Sequence, residues 1–276
     1  MSAINLSLIR KNPLTVPVLI ADKKGLFKKH NVEVNLHITE DFTFNKNQDF
    51  YDGEVDGMVG DVTFFFYMLE RGKKAVITSN LTRTINLVGG KNLPEDLNGI
   101  KVGVNRAGLF RLYLENDLKD IVPNAKIQWI NNTYDRIKAL EDGEIDALVA
   151  IEPFVTDVIE KGGKVIWNSR NSDKNLVMWA FDENFYLNNK ETIKDFHNAV
   201  EEAIELFNGL SPEGKVNICI ESAGYSEESA MRLREFNFEK QDNFRIEDFN
   251  LCQEWMYREK EITKLYNAEK LICNIF

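Results

Sequence analysis

Cysteine and histidine are scarce, three of each in 276 residues, and their scarcity removes several chemistries at once. Cys219, Cys252 and Cys273 are far apart, odd in number and free of any CxxC pair. Buried free thiols are therefore expected rather than a disulfide framework or a zinc site. His30, His37 and His197 share no metal-ligand spacing, so no metal site is expected. No apolar run is long enough to cross a bilayer. Basic charge is also in deficit, with 34 Lys and Arg against 44 Asp and Glu and a net charge of -10. That argues against nucleic-acid binding, which needs a cationic surface. The start, MSAINLSLIRKNP, lacks the charged segment and apolar stretch of a secretory leader. A removed leader and a cytoplasmic protein both stay open.

Catalytic signatures are missing too. There is no G-x-S-x-G elbow. Gly103 and Gly108 have the spacing of two P-loop glycines, but Leu109-Phe110 stands where Lys and Ser or Thr are required. Asp52-x-Glu54-x-Asp56-Gly57 resembles the opening of a calcium loop. The glutamate needed at the twelfth position is Thr63, and the second copy fails at Ala147 and Pro153. The carboxylates of both copies are expected to be solvated turn residues. With no nucleophile–base pair in view, neither catalytic residues nor a cofactor are expected.

What the chain does contain is a near-repeat. Asp52-Gly-Glu-Val-Asp-Gly-Met-Val returns as Asp142-Gly-Glu-Ile-Asp-Ala-Leu-Val. Each copy reads as a buried strand, a turn, a helix ending in glycine and another strand. Upstream, the runs Ile4–Ile9 and Ile100–Val104 each lead through a turn into a helix and then a further strand. Alternating strands and helices predict an α/β protein with mainly parallel sheets. Two extended runs, Asn86–Gly90 and Leu176–Phe181, are natural crossing strands, one out and one back. The expected division is a first lobe of residues 1–86 and 179–276 and a second lobe of 87–178. The C-terminal third reads as helices, beginning near Asn189, at Ser211-Pro212, near Ser226 and at Ile246. They are expected to pack on the first lobe.

In an open parallel sheet, ligands bind where strands end and helices begin. Four loops qualify: Arg10–Pro13, Gly60–Thr63, Asn105–Gly108 and Ile151–Pro153. Each leads into a helix N-terminus, where free N–H groups favour an anion. Arg106 is a candidate partner for a carboxylate, sulfonate or phosphate, with Gly108 allowing close backbone approach and Asn105 beside it. Its alternative is a solvated turn arginine. Arg10 and Asn12 are analogous in the first half. Asp61 and Thr63 are candidates for ligand contact, although capping of their own helix is the simpler role. Glu152, before Pro153, has the same two readings. Of the aromatics near these loops, among them Phe42, Phe44, Phe64, Tyr134 and Phe154, most are expected in the core. Trp179, on the return run, is the preferred stacking candidate.

With the loops placed, the chain resembles the type 2 periplasmic binding proteins, in the branch that holds sulfonate-, nitrate- and thiamine-pyrimidine-precursor-binding proteins. The ordered set Ala21-Asp-Lys-Lys-Gly-Leu-Phe-Lys-Lys, Val32-Glu-Val, Asp52-Gly-Glu-Val-Asp, Asp96-Leu-Asn-Gly-Ile-Lys-Val-Gly-Val104, Leu140–Val149 and Ile151-Glu-Pro153 carries the resemblance over roughly the first 180 residues. It implies two α/β lobes joined by two hinge strands. A small solute, anionic or planar heterocyclic, would sit in the cleft and be delivered to the permease of an ABC transporter. It also implies an extracytoplasmic protein, periplasmic or lipid-anchored, touching the membrane only through an anchor absent from this sequence. A related branch of cytoplasmic enzymes, of thiamine-pyrimidine and menaquinone-pathway type, is the alternative. The synthase of that branch carries a cysteine cluster that this chain lacks. A ligand-sensing domain of a transcription regulator would need a helix-turn-helix, and the chain starts on a strand.

Overall fold

The computed structural model describes residues 3–9, 12–39 and 46–276, apart from the side chains of 46 and 47. The chain forms two compact units, Met1–Thr82 with Leu176–Phe276, and Arg83–Asn175. Ten strands occur among the described residues. They are β1 (Ile4–Ile9), β2 (Val34–Thr39), β3 (Gly57–Asp61), β4 (Ala75–Asn80), β5 (Asn86–Gly89), β6 (Lys101–Val104), β7 (Lys126–Trp129), β8 (Ala147–Ala150), β9 (Lys164–Asn168) and β10 (Val177–Asp182).

The first unit holds a sheet of order β2-β1-β3-β10-β4, and the second a sheet of order β7-β6-β8-β5-β9. β1 runs parallel to β2 and β3, and β6 parallel to β7 and β8; β10 and β5 lie antiparallel to their neighbours. The sheets are thus mainly parallel with one reversed strand each. That strand is the extended run read as crossing. The crossing itself falls just ahead of it, at 82/83 and 175/176. The cause is that β5 and β10 each bond along their whole length inside one sheet.

The burial patterns follow strand position. Central β8 is buried throughout and β1 almost so, whereas edge strand β2 shows its polar residues to solvent. The amphipathic helix Lys190–Asn208 buries Ile193, Phe196, Val200, Ile204 and Phe207 and packs on the helices Val16–Lys23 and Leu26–Lys29. Ser211 caps the helix Pro212–Glu221 by accepting from the Gly214 N–H at 3.2 Å. The helix expected from Ser226 to Phe236 extends only over Glu227–Met231.

The repeated acidic motif has a structural task. Asp56 accepts the Asn5 N–H at 2.8 Å, and Asp146 accepts the Lys101 N–H at 2.7 Å. Each returns its own N–H to the same residue's carbonyl, at 2.9 Å in both units. The third carboxylate of each copy therefore fastens the start of the neighbouring parallel strand, and is not the solvated turn residue expected. Gly53 and Gly143 turn the chain before it, at φ 81° and 74°.

Candidate functional site

The topology selects one place in each unit. From β1 the chain turns to β2 on one side, and from β3 it turns toward β4 on the other. The β1/β3 boundary is a topological switch point, and β6/β8 is its counterpart in the second unit. Crevices form outside the carboxyl ends of strands at such points. The loops that leave these four strands are the four chosen from the sequence.

In the first unit the described loop residues are internally satisfied. Asn12 is buried, and its Oδ1 accepts the Leu14 N–H at 3.0 Å, starting the turn Pro13–Thr15. Asp61 caps the helix Val62–Glu70, accepting from the N–H groups of Thr63 (3.0 Å) and Phe64 (3.2 Å). Thr63 is buried, and its hydroxyl donates to the same Asp61 oxygen. Arg10, Phe42 and Phe44 lie outside the described residues.

The second unit differs. Gly108 precedes the helix Leu109–Asn116 at φ 88° and ψ -169°, a conformation open essentially to glycine alone. No side chain caps that helix. Its first N–H groups keep their donor character, and the dipole adds partial positive charge. Arg106 is exposed on the same turn. Its N–H donates to Asn131 Oδ1 at 3.0 Å, and its carbonyl accepts from Arg111 at 3.5 Å. Asn105 donates to the Ala107 carbonyl, while its buried Oδ1 has no hydrogen-bond partner. On the neighbouring loop, Glu152 accepts from the N–H (3.1 Å) and hydroxyl (3.0 Å) of Thr156, which ties it to the helix Phe154–Glu160.

Trp179 lies in the core of the first unit, where it borders a small cavity of about 10 Å³ with Leu14 and Pro17. Its side chain is 0% exposed, stacked on Phe181 at 6.2 Å and edge-on to Phe196 at 5.1 Å. β10 is flanked on both sides and covered by the helix that carries Phe196, so the stacking role expected of Trp179 gives way to a core role. Among the described residues, exposed aromatics near the loops include Phe64 (40%), Trp129 (42%) and Tyr134 (53%), the last edge-on to Phe154 at 5.3 Å. Asn131, which holds the Arg106 amide, was not picked out in the sequence. The signal is Asn131-Asn132-Thr133, an asparagine pair after a strand, in which Asn132 caps the next helix.

A cavity of about 350 Å³ opens elsewhere in the second unit, over Leu93, Ile137, Leu140, Ile145 and Val158. It lies at the strand entries, since Ile145 and Asp146 precede β8 whereas Ile151–Pro153 follow it. Its floor is aliphatic, and Lys161 and Glu141 pair at its rim at 2.5 Å. Polar recognition chemistry gathers at the opposite edge, which is the candidate site.

No family model matches the chain, and no curated protein matches it. Solved structures do. The periplasmic aliphatic sulphonate binding protein SsuA of Escherichia coli is similar over 99% of this chain and 97% of its own, at 12% identity and a TM-score of 0.80. The periplasmic nitrate-binding protein NrtA of Synechocystis PCC 6803 is similar over 87% and 73%, at 14% identity and 0.65. The CA3427 gene product of Candida albicans, described as having the generic periplasmic binding protein fold, is similar over 97% and 93%, at 14% identity and 0.68. The chain therefore has the periplasmic binding protein fold, as its ordered motifs predict. Likeness at these identities fixes the fold and leaves the solute to the site.

Proposed function

We propose that this chain is a solute-binding protein. It captures a small solute, anionic or planar heterocyclic, without turning it over, and delivers it to the permease of an ABC importer. The observation that carries the reading is the open turn Asn105–Gly108: an exposed arginine, a glycine that admits close approach and an uncapped helix start converge at the switch point of the second unit. A guanidinium fork and the N–H groups of a helix start without a side-chain cap suit oxyanions such as sulfonate or phosphate. The sulphonate- and nitrate-binding proteins of the same fold both take anions. An extracytoplasmic place of action belongs to the same reading. The test is equilibrium dialysis against nitrate, sulfate, methanesulfonate and a planar pyrimidine, with product analysis. Stoichiometric recovery of one unchanged solute supports the reading. Repeated turnover would replace it with the enzyme of related fold, and no retention of any small solute would remove it.

A further inference from the structure

Arg136 sits where a cation is hard to justify on stability. It is the fourth residue of the helix Thr133–Glu141 and is 2% exposed. The positive end of the helix dipole opposes a cation there. Among the described residues no carboxylate pairs with it, and its Nε has no hydrogen-bond partner. Burial pulls its pKa down to about 10, so the charge persists at neutral pH. A buried charge without a counter-ion is destabilising unless its hydrogen bonds are well made.

Those bonds all reach back to one segment. Nη1 donates to the carbonyls of Ile130 (2.7 Å) and Asn131 (3.0 Å), and Nη2 donates to Thr133 Oγ1 at 2.9 Å. The guanidinium carbon lies 5.8 Å from the ring centroid of Phe110, in the first turn of the helix that follows Gly108. The stem lies under β6: a methyl group on Gly103 would come within 3.7 Å of Arg136 Cδ. Arg136 thus touches both segments that frame the Asn105–Gly108 turn. The link between them is Asn131, whose backbone carbonyl it holds and whose side chain accepts the Arg106 N–H at 3.0 Å.

We propose that Arg136 is a positioning residue: by fastening the Ile130 and Asn131 carbonyls it aims Asn131 Oδ1 at the Arg106 amide, and so sets the geometry of the Asn105–Gly108 turn. Its consequence for binding rests on the solute-binding reading of that turn; the positioning itself does not. Amide exchange of the solute-free protein tests it, with Arg106 compared against the core amides Val102 and Leu148 of the same unit. In Arg136→Met, Arg106 exchange should quicken roughly 5- to 10-fold relative to the core amides, the equivalent of one lost hydrogen bond. Asn131→Ala should do the same, and the double variant should add little more, because both act through one contact. Should Arg136→Met not fold, Arg136→Lys decides: the ammonium lacks the fork that spans two carbonyls, so Arg106 must still exchange several-fold faster. Unchanged Arg106 exchange relative to the core, or fully additive effects, would overturn the proposal. Methanesulfonate affinity should fall roughly 10-fold with Arg136→Met. A wild-type protein indifferent to methanesulfonate and to the other anions would speak against the solute reading alone, since exchange is read without solute.

Discussion

The two units share one strand order and differ at one loop of each switch point, since a carboxylate sits on the other loop's helix start in both, Asp61 in the first and Glu152 in the second. In the first, Asp61 places a carboxylate on the helix N-terminus and consumes the N–H groups of Thr63 and Phe64. In the second, Gly108 supplies no cap, and Arg106 stands exposed on the turn. A duplicated scaffold can keep its load-carrying features, such as the strand-fastening Asp56 and Asp146, while its loops diverge in charge. Among the described residues, the loops of the first crevice satisfy one another. The second, on the proposed reading, receives an anion.

The largest expected effect separates the units by pH. All three histidines belong to the first unit. His197 is fully buried between Thr78 Oγ1 (2.9 Å) and Gln241 Oε1 (2.8 Å), and burial lowers its pKa to about 4. The folded state therefore holds it neutral where the unfolded chain, with the ordinary value near 6.5, takes up a proton. Stability is unaffected above about pH 6.5, falls as pH drops through the window between the two values, and levels off below about 4, for a total of about 3 kcal/mol. Core amides of the first unit should lose about 2 kcal/mol of exchange protection between pH 6.5 and 5. Core amides of the second should hold steady. Parallel loss in both units would show that another group controls the acid response.

Binding comes next. Arg106→Ala should weaken an anionic solute by about 1.5–3 kcal/mol, the usual worth of a hydrogen bond to a charged group, with melting temperature unchanged because the side chain is exposed. Arg106→Lys should restore part of the affinity, since the charge returns without the planar fork. Equal affinities by calorimetry would reduce Arg106 to a solvated turn residue. The smallest effect inverts that pattern. Asp61→Ala should cost about 1 kcal/mol of stability through the lost cap and leave anion affinity undiminished. A drop in anion affinity would erase the contrast between the crevices.

Much of this was legible in the sequence because it depends on local pattern. The repeat, the strand runs and the glycine-terminated helices set out both sheets, and the loops after β1, β3, β6 and β8 were identifiable before their strand order was known. What was hidden depends on packing across the chain. Trp179 reads as a ligand contact because it sits on an extended run, yet reversed pairing with β3 and β4 buries it. Asp56 and Asp146 read as turn residues, because their partners lie 51 and 45 positions away. Arg136, in the helix Thr133–Glu141, folds back over that helix's N-terminus, which no helical periodicity reports.

The central claim, an anion held by the second unit's switch-point turn, is tested most directly by following backbone amide resonances during titration with an anion that the protein retains. The account predicts saturable shifts concentrated at Asn105–Phe110 and at Glu152, with the aliphatic cavity around Leu93 and Ile145 unmoved. Saturable shifts centred on that cavity, with the Arg106 turn silent, would contradict it.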